Sequence, residues 1–208
     1  MAAATDAATG VSIDFYFDFS SPYAYFGSLR IDDVAAKHGR TVTWHPILLG
    51  AVFKVTGMKP NTMQPLRGDY LRHDVRRIAR LTGAPFAWPA VMPANSLAAT
   101  RAYWWLAGRD EGAARRLARA VFHAHWGQGR DIGPVEVVAE VASTLGLDPA
   151  EVTAAIQDPA VKDRVRAETD GAIARGVFGA PFVLVGDEPF WGWDRLDMVD
   201  AWLERGGW

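Results

Sequence analysis

The sequence has 208 residues, half of them apolar, and its 22 basic and 24 acidic side chains give a net charge of −2. This is sufficient for one domain with a buried core, with or without a large insertion. The charge gives no reason to expect binding to nucleic acid or an acidic membrane, and the lack of cysteine excludes disulfide scaffolds, thiolate metal sites and cysteine nucleophiles.

The first ten residues are small and polar and lack the basic and apolar regions of a secretory signal. We expect residues 1–10 to be a disordered lead-in. No apolar run approaches the length that crosses a membrane, so the sequence predicts a cytoplasmic protein without a membrane partner.

An aromatic and β-branched run at residues 11–17 predicts a buried strand, and residues 24–38 predict a helix that ends near Gly39. Between the two, Ser21 can cap the helix, and Pro22 suits the first helical position. A helix that starts directly after a strand presents free N–H groups and the positive end of its dipole, which favours an anion there.

A second strand is predicted at residues 41–49, and the strand–helix–strand order makes it parallel to the first. A loop follows at residues 50–60. Residues 65–175 are predicted to be helical without a strand, interrupted by a proline-rich loop at 84–94. Asn95 is expected to cap the helix that follows this loop.

The histidines give no metal signal. His123 and His125 lie two residues apart on a predicted helix, so they point to different faces and lack the i, i+4 spacing of a metal pair. We therefore expect no metal site.

The chain returns to the sheet near its end. Residues 181–185 predict a strand that a Gly186-Asp187 turn joins to an antiparallel partner at 188–191, and Asp194 is predicted to cap a last helix.

This order of elements indicates an α/β protein, namely a thioredoxin-like fold with a large inserted all-helical domain. Residues 11–49 and 177–205 are expected to form the discontinuous sheet-centred domain, with the helix before residue 177 packed on it. Residues 60–175 are expected to form the insertion.

Ser21 is the candidate functional residue. No Gly-x-Ser-x-Gly elbow surrounds any serine, and no glycine-rich phosphate fingerprint follows a strand. Ser21 either caps the helix alone or also holds an anion at its start. In a thioredoxin-like arrangement Pro181 would face this helix start, and a cis Ala180–Pro181 bond would present backbone groups to a peptide ligand.

Four segments carry a family resemblance, and they are Asp18-Phe19-Ser20-Ser21-Pro22-Tyr23-Ala24-Tyr25, residues 122–132, residues 176–182 and residues 190–196. In this order they resemble the 2-hydroxychromene-2-carboxylate isomerases. That family is similar to the kappa-class glutathione transferases and has a DsbA-like thioredoxin fold.

The resemblance implies glutathione as cofactor, a homodimer and a small aromatic carboxylate as substrate. It makes Ser21 the catalytic residue that holds the glutathione thiolate, and it places the glutathione peptide against the backbone of Ala180 and Pro181. The remaining implied contacts are Trp191, Gly192, Trp193 and Asp194 for the γ-glutamyl end and Lys54, Asn61 and Asn95 for the substrate. Trp193 departs from the Asn that the family leads us to expect.

The implied reaction interconverts 2-hydroxychromene-2-carboxylate and trans-o-hydroxybenzylidenepyruvate in aromatic, naphthalene-type catabolism. Reversible addition of the glutathione thiolate turns a C=C bond into a single bond that can rotate. One alternative is a kappa-class-like glutathione transferase or peroxidase, which would consume glutathione. The other is a non-catalytic thioredoxin-fold binding module in which Ser21 only caps its helix.

Overall fold

The computed structural model describes residues 10–208 and centres on a sheet that both ends of the chain build. Its strands are β1 (Ile13–Phe17), β2 (Thr43–Pro46), β3 (Phe182–Val185) and β4 (Glu188–Trp191), in the order β2-β1-β3-β4. β1 and β2 are parallel, as predicted, while β3 runs antiparallel to both β1 and β4. Apart from Gly10, the predicted lead-in at residues 1–10 lies outside the described residues.

β1 is buried along its whole length because its alternating side chains meet packed layers on both faces of the sheet. Phe15 and Phe17 stack with ring centroids 5.4 Å apart, and both meet Trp44 of β2 edge-on. Tyr16 belongs instead to a smaller apolar cluster with Val177. The predicted buried first strand is confirmed.

The single helix predicted at residues 24–38 is wrong, because the chain forms α1 (Pro22–Ser28) and α2 (Ile31–Lys37) there. The amides of Leu29 and Arg30 donate to carbonyls three residues earlier, which tightens the last turn and ends α1. Neither residue is a glycine or proline, so the sequence contains no local signal for this break.

The segment predicted as a loop at residues 50–60 contains helix α3 (Leu49–Thr56). The Leu49 amide donates to the buried carboxylate of Asp18 at 2.7 Å, and Gly57 ends the helix with φ at 72°. The acceptor at the start of this helix comes from another part of the chain, so the local sequence contains no capping signal. The same change shortens the predicted strand at 41–49 to the four residues of β2.

The other helices between β2 and β3 form a block in which no strand occurs among the described residues 65–175, as predicted. They are α4 (Arg67–Thr82), α5 (Leu97–Ala107), α6 (Glu111–Phe122), α7 (Val135–Ser143), α8 (Pro149–Gln157) and α9 (Pro159–Ala174), with a 3₁₀ turn at Asn61–Met63 and a π-helix at His123–Gly127. None of the helices in residues 10–208 has the length and apolar character to cross a membrane.

Buried aromatic side chains join this helical block to the sheet. On α5, Tyr103 donates to the Trp44 carbonyl and Trp104 to the Pro46 carbonyl, both at 2.9 Å. One apolar cluster extends from β1 through the helical block. We propose that residues 60–175 are an insertion packed on the sheet-centred domain through this shared core.

The C-terminal hairpin is confirmed, with Gly186 in its turn at φ 63°. A 3₁₀ turn at Trp193–Arg195 leads into the last helix, α10 (Leu196–Arg205). The predicted cap by Asp194 is wrong, because Arg195 occupies the N-cap position and no side chain caps the helix. The Asp194 carboxylate instead accepts a hydrogen bond from the Arg195 guanidinium at 3.1 Å.

A buried carboxylate, Asp14 on β1, ties β1 and β2 to the end of α9. It accepts hydrogen bonds from the Ser12 hydroxyl at 3.0 Å, the His45 ring at 2.9 Å and the Arg175 guanidinium at 3.0 Å. Burial acts to raise the pKa of Asp14, but the bonds from His45, Arg175 and Ser12 outweigh it and lower the pKa to about 2. This stabilisation is therefore present above about pH 4 and is lost as the pH falls toward 2.

The variant Asp14→Asn should lose about 2 kcal/mol of unfolding free energy at neutral pH, because the lowered pKa corresponds to that difference. The difference in unfolding free energy between variant and wild type should narrow at about pH 3. At that pH the Asp14 carboxyl of the unfolded chain, with the ordinary pKa of 3.8, is largely protonated, while the folded carboxylate is still mostly ionised. Urea unfolding at neutral pH and at about pH 3 measures this difference in unfolding free energy, with the exposed Asp170→Asn on α9 as control. A loss that does not change with pH would contradict the assignment.

Candidate functional site

Ser21 lies at the junction of β1 and α1 and is 6% exposed. Its backbone is extended, its hydroxyl oxygen accepts the Ala24 amide at 3.2 Å, and Pro22 follows at the first helical position. The predicted helix cap is therefore confirmed. The same hydroxyl also donates to the carbonyl of Ala180 at 3.0 Å, a contact that spans 159 positions of sequence.

The segment before β3 lies against the start of α1, as the thioredoxin-like arrangement predicts. The Ala180–Pro181 peptide bond is cis, as predicted. A Cβ atom on Gly27 of α1 would lie only 3.4 Å from the Pro181 ring, so the helix and this proline are in close contact. The Gly192 amide donates to the Pro181 carbonyl at 3.0 Å. Four predicted site residues, Ser21, Ala180, Pro181 and Gly192, are thus brought together.

Two backbone donors at this junction have no acceptor among the described residues. They are the amide of Tyr23, at the second position of α1, and the amide of Ala180. Both residues are half-buried rather than enclosed. A helix start leaves its first amides free, and the unpaired Ala180 amide adds a second donor beside the Ser21 hydroxyl. Together these groups favour a site for an anionic or peptide-like ligand.

Trp191 forms one wall of this region. The residue is 49% exposed, and its indole packs edge-on against Phe178 with ring centroids 4.8 Å apart. A Cβ atom on Gly179 would lie 2.5 Å from the Trp191 indole nitrogen, so only glycine leaves room for the ring in this position. The sequence analysis named Trp191 but missed Gly179, which lies directly before Ala180.

Trp193 and Asp194 occupy the 3₁₀ turn between β4 and α10. The Trp193 ring packs on Phe26 of α1 with centroids 6.0 Å apart, so the side chain belongs partly to the core. Asp194 is exposed, and its carboxylate lies over Gly192, where an added Cβ would approach it to 2.5 Å. Gly192 has no Cβ atom to fill this space, and its φ of 115° is a conformation that favours glycine.

Asp18 is a functional candidate that sequence reasoning missed. Its carboxylate is buried, accepts the Ser20 amide at 2.8 Å and also accepts the Leu49 amide of α3. Its carbonyl accepts the Ser21 amide at 3.0 Å. Asp18 therefore shapes the turn that carries Ser21 and joins it to the helix that carries Lys54. The sequence feature that could have identified Asp18 is its position, three residues before the candidate serine.

Tyr23 connects the start of α1 to the helical block. Its hydroxyl donates to Asp74 of α4 at 2.8 Å, and Asp74 is also paired with Arg77. Burial, together with the hydrogen bond to Asp74, raises the pKa of Tyr23 well above its ordinary value, so the phenol stays protonated. Tyr23 thus acts as a fixed donor that holds α4 beside the site.

The π-helix supports the turn before Ser21. Trp126 is buried, and its indole N–H donates to the Phe19 carbonyl at 2.9 Å. His123 is exposed while His125 is buried, which confirms that they face different sides. Burial lowers the pKa of His125, so its ring is neutral and donates to the Arg130 carbonyl at 2.7 Å.

The three residues expected near the substrate lie on separate elements, and no hydrogen bond among the described residues joins them to Ser21. Lys54 is exposed in the last turn of α3. Asn61 is exposed in the 3₁₀ turn and accepts from Gln64 at 3.4 Å. Asn95 is exposed before α5, and its side chain accepts the Leu97 amide at 3.1 Å. The predicted cap by Asn95 is wrong, because Ser96 occupies the N-cap position of α5 and no side chain caps the helix there.

Known proteins resemble this chain over nearly its whole length. A family model described as the DSBA-like thioredoxin domain matches residues 12–204. The 2-hydroxychromene-2-carboxylate isomerase of Pseudomonas putida is 33% identical over 93% of this chain and 94% of its own length. Glutathione S-transferase kappa 1 of Caenorhabditis elegans is 26% identical over 93% of this chain and 91% of its own.

The fold is also similar to solved structures. A structure of 2-hydroxychromene-2-carboxylate isomerase superposes on this chain with a TM-score of 0.85 at 33% sequence identity. The match covers 93% of this chain and 94% of the other. The segment matched by the family model contains every candidate site residue named above.

Proposed function

Because this chain belongs to the DSBA-like thioredoxin domain family, and within it to the 2-hydroxychromene-2-carboxylate isomerases, we propose that it is a glutathione-dependent isomerase. Its substrate pair would be 2-hydroxychromene-2-carboxylate and trans-o-hydroxybenzylidenepyruvate. The observation that carries the proposal is Ser21, a hydroxyl at the start of α1 beside unpaired amides, in a chain without cysteine. Any thiol used at this site must therefore belong to a ligand.

The residues at this site fit glutathione. The unpaired amide of Ala180 can donate to a peptide carbonyl, and the carbonyl of the same residue can accept from a peptide N–H, as neighbouring strands do. The Asp194 carboxylate is exposed and suits the ammonium of the γ-glutamyl end. The Trp191 indole would cover the peptide from one side.

Bound glutathione would supply a thiolate that adds reversibly to the conjugated C=C bond of the substrate and leaves after the bond has rotated. The Ser21 hydroxyl and the Tyr23 amide would donate hydrogen bonds to this sulfur and favour its ionised form. Lys54 would pair with the substrate carboxylate. Asn95, and Asn61 from the 3₁₀ turn, would hold its oxygen atoms.

The direct test is to incubate the purified protein with a chromene carboxylate, with and without glutathione, and to follow the ultraviolet spectrum. Conversion that requires glutathione but leaves its concentration unchanged supports the isomerase. Loss of glutathione into a conjugate or disulfide would favour the transferase or peroxidase. Failure to bind glutathione would reject both enzymes and favour the binding module, in which Ser21 only caps its helix.

We also propose that the protein works as a homodimer in the cytoplasm, as the family resemblance implies. Exposed apolar side chains at Met63 and Leu66, 65% and 83% exposed, would suit a subunit contact. Light scattering of the purified protein measures its mass, and a monomer at working concentration would reject the dimer.

The variant Gly179→Ala should weaken glutathione binding about tenfold while leaving the fold intact, since the new methyl group displaces the exposed Trp191 indole rather than a core residue. Calorimetric titration measures the affinity. The control is Gly171→Ala on α9, where a Cβ would meet no atom within 4 Å. Unchanged affinity in Gly179→Ala would remove Trp191 from the proposed site.

A further inference from the structure

The single proton of the Ser21 hydroxyl is already in use. The hydroxyl donates to the Ala180 carbonyl at 3.0 Å, and its oxygen accepts the Ala24 amide at 3.2 Å. A serine hydroxyl has one hydrogen. In this arrangement Ser21 therefore turns a lone pair, not a proton, toward an arriving sulfur, and a lone pair disfavours a thiolate.

Releasing that proton would leave the Ala180 carbonyl without its donor. Ala180 is half-buried and lies next to the buried Gly179 and Pro181, so water reaches its carbonyl only in part. An acceptor left without a partner in such a place is unfavourable. Rotation of the Ser21 hydroxyl toward a ligand therefore raises the free energy of the site, because no other group of the protein replaces it as a donor to the Ala180 carbonyl.

A peptide ligand can offset this cost. The Ala180 amide has no acceptor among the described residues, while its carbonyl is held by Ser21, so the two groups form one half of a strand-like pair. A peptide that accepts from this amide brings its own N–H to the carbonyl. In glutathione the N–H nearest the sulfur is that of the cysteinyl residue.

We infer that the Ser21 hydroxyl redirects its hydrogen bond from the Ala180 carbonyl to the ligand sulfur only when a peptide N–H of the ligand donates to that carbonyl in its place. No covalent bond changes in this step, since one hydrogen bond to the carbonyl replaces another and the freed hydroxyl rotates to the sulfur. The site is therefore selective for thiols with an amide N–H beside the thiol-bearing carbon. This inference rests on the proposed use of glutathione. It names the cysteinyl N–H as the ligand group that frees the Ser21 hydroxyl to donate to the sulfur.

The test uses two analogues of glutathione that each replace one amide N–H by an ester oxygen. One is changed at the cysteinyl N–H and the other, as a control, at the glycyl N–H. The ultraviolet absorbance of the thiolate, followed against pH at saturating ligand, reports the pKa of the bound thiol. Wild-type protein, Ser21→Ala and the control Ser20→Ala are compared, since the Ser20 hydroxyl has no hydrogen bond among the described residues. Ser21→Gly repeats the test with a residue that still suits a helix cap.

In wild type, the cysteinyl ester should show a thiol pKa about one unit above that of glutathione, the equivalent of about one hydrogen bond. The glycyl ester should match glutathione. In Ser21→Ala and Ser21→Gly the hydroxyl is gone, so the cysteinyl ester and glutathione should show the same thiol pKa. Ser20→Ala should behave like wild type.

Equal thiol pKa values for glutathione and the cysteinyl ester in wild type would overturn the inference while leaving glutathione binding in place. A difference that persists in Ser21→Ala would also overturn it, because the effect would then not pass through Ser21. If the cysteinyl ester binds wild type and both Ser21 variants more weakly by the same factor while its bound thiol pKa equals that of glutathione, its N–H acts only in affinity, which again contradicts the coupling. Lack of glutathione binding by wild type would instead reject the proposed function.

Discussion

Replacing Ser21 by alanine should slow isomerisation roughly 10- to 100-fold. A hydrogen bond to a charged group contributes roughly 1.5–3 kcal/mol, and a bond that is stronger to the thiolate than to the thiol lowers the barrier of the chemical step by about that amount. The unpaired Tyr23 amide remains, so activity should fall without vanishing. The bound glutathione thiol should have a raised pKa, while the affinity for glutathione changes less.

The structure also predicts that Ser21→Ala lowers the stability of the fold. Ser21 caps α1 and also holds the Ala180 carbonyl, so Ser21→Ala should lose about 1–2 kcal/mol of unfolding free energy. Rate per folded molecule and melting temperature must therefore be measured together. Ser20→Ala serves as the control, because it changes the neighbouring hydroxyl and leaves both of these bonds in place.

A second substitution at the same position tests its distance from the ligand sulfur. In Ser21→Cys the new thiol should form a mixed disulfide with oxidised glutathione, which mass spectrometry detects. If Ser21→Ala lowers the melting temperature but keeps the turnover and the thiol pKa of wild type, Ser21 is only a helix cap.

Asp194→Asn should weaken glutathione binding about tenfold. We propose that this carboxylate pairs with the ammonium of the γ-glutamyl end, and the loss of a charge-assisted hydrogen bond at an exposed position has an effect of about this size. Its side chain is 58% exposed, so the loss should be greater at low salt. Calorimetric titration at two salt concentrations measures both effects.

The stability of Asp194→Asn should stay within about 0.5 kcal/mol of wild type, because the carboxylate does not cap α10. The matched control is Asp197→Asn in the first turn of α10, an exposed carboxylate paired with Arg30. That variant should bind glutathione like wild type. Equal affinities of Asp194→Asn and wild type would remove Asp194 from the site.

The sequence by itself determined the elements whose signals are local. The run of aromatic and β-branched residues in β1 favours a buried strand, and Ser21-Pro22 combines a preferred N-cap residue with a preferred first helical residue. Gly186 marks the turn of the hairpin, and the glycines after α4 and α9 mark their ends. The absence of cysteine made a ligand thiol necessary for any thiol chemistry before a structure was known.

Only the tertiary structure decided the features that depend on contacts between distant residues. The start of α3 is stabilised by Asp18 from the β1 turn, and no pattern within residues 49–56 shows this. The Asp194 carboxylate lies over Gly192 instead of capping α10, because a 3₁₀ turn intervenes. The bond from Ser21 to Ala180 crosses 159 positions, so the sequence could name both residues but not the shared proton. Side-chain hydrogen bonds of this kind arise from how elements pack together, and local propensity contains no information about them.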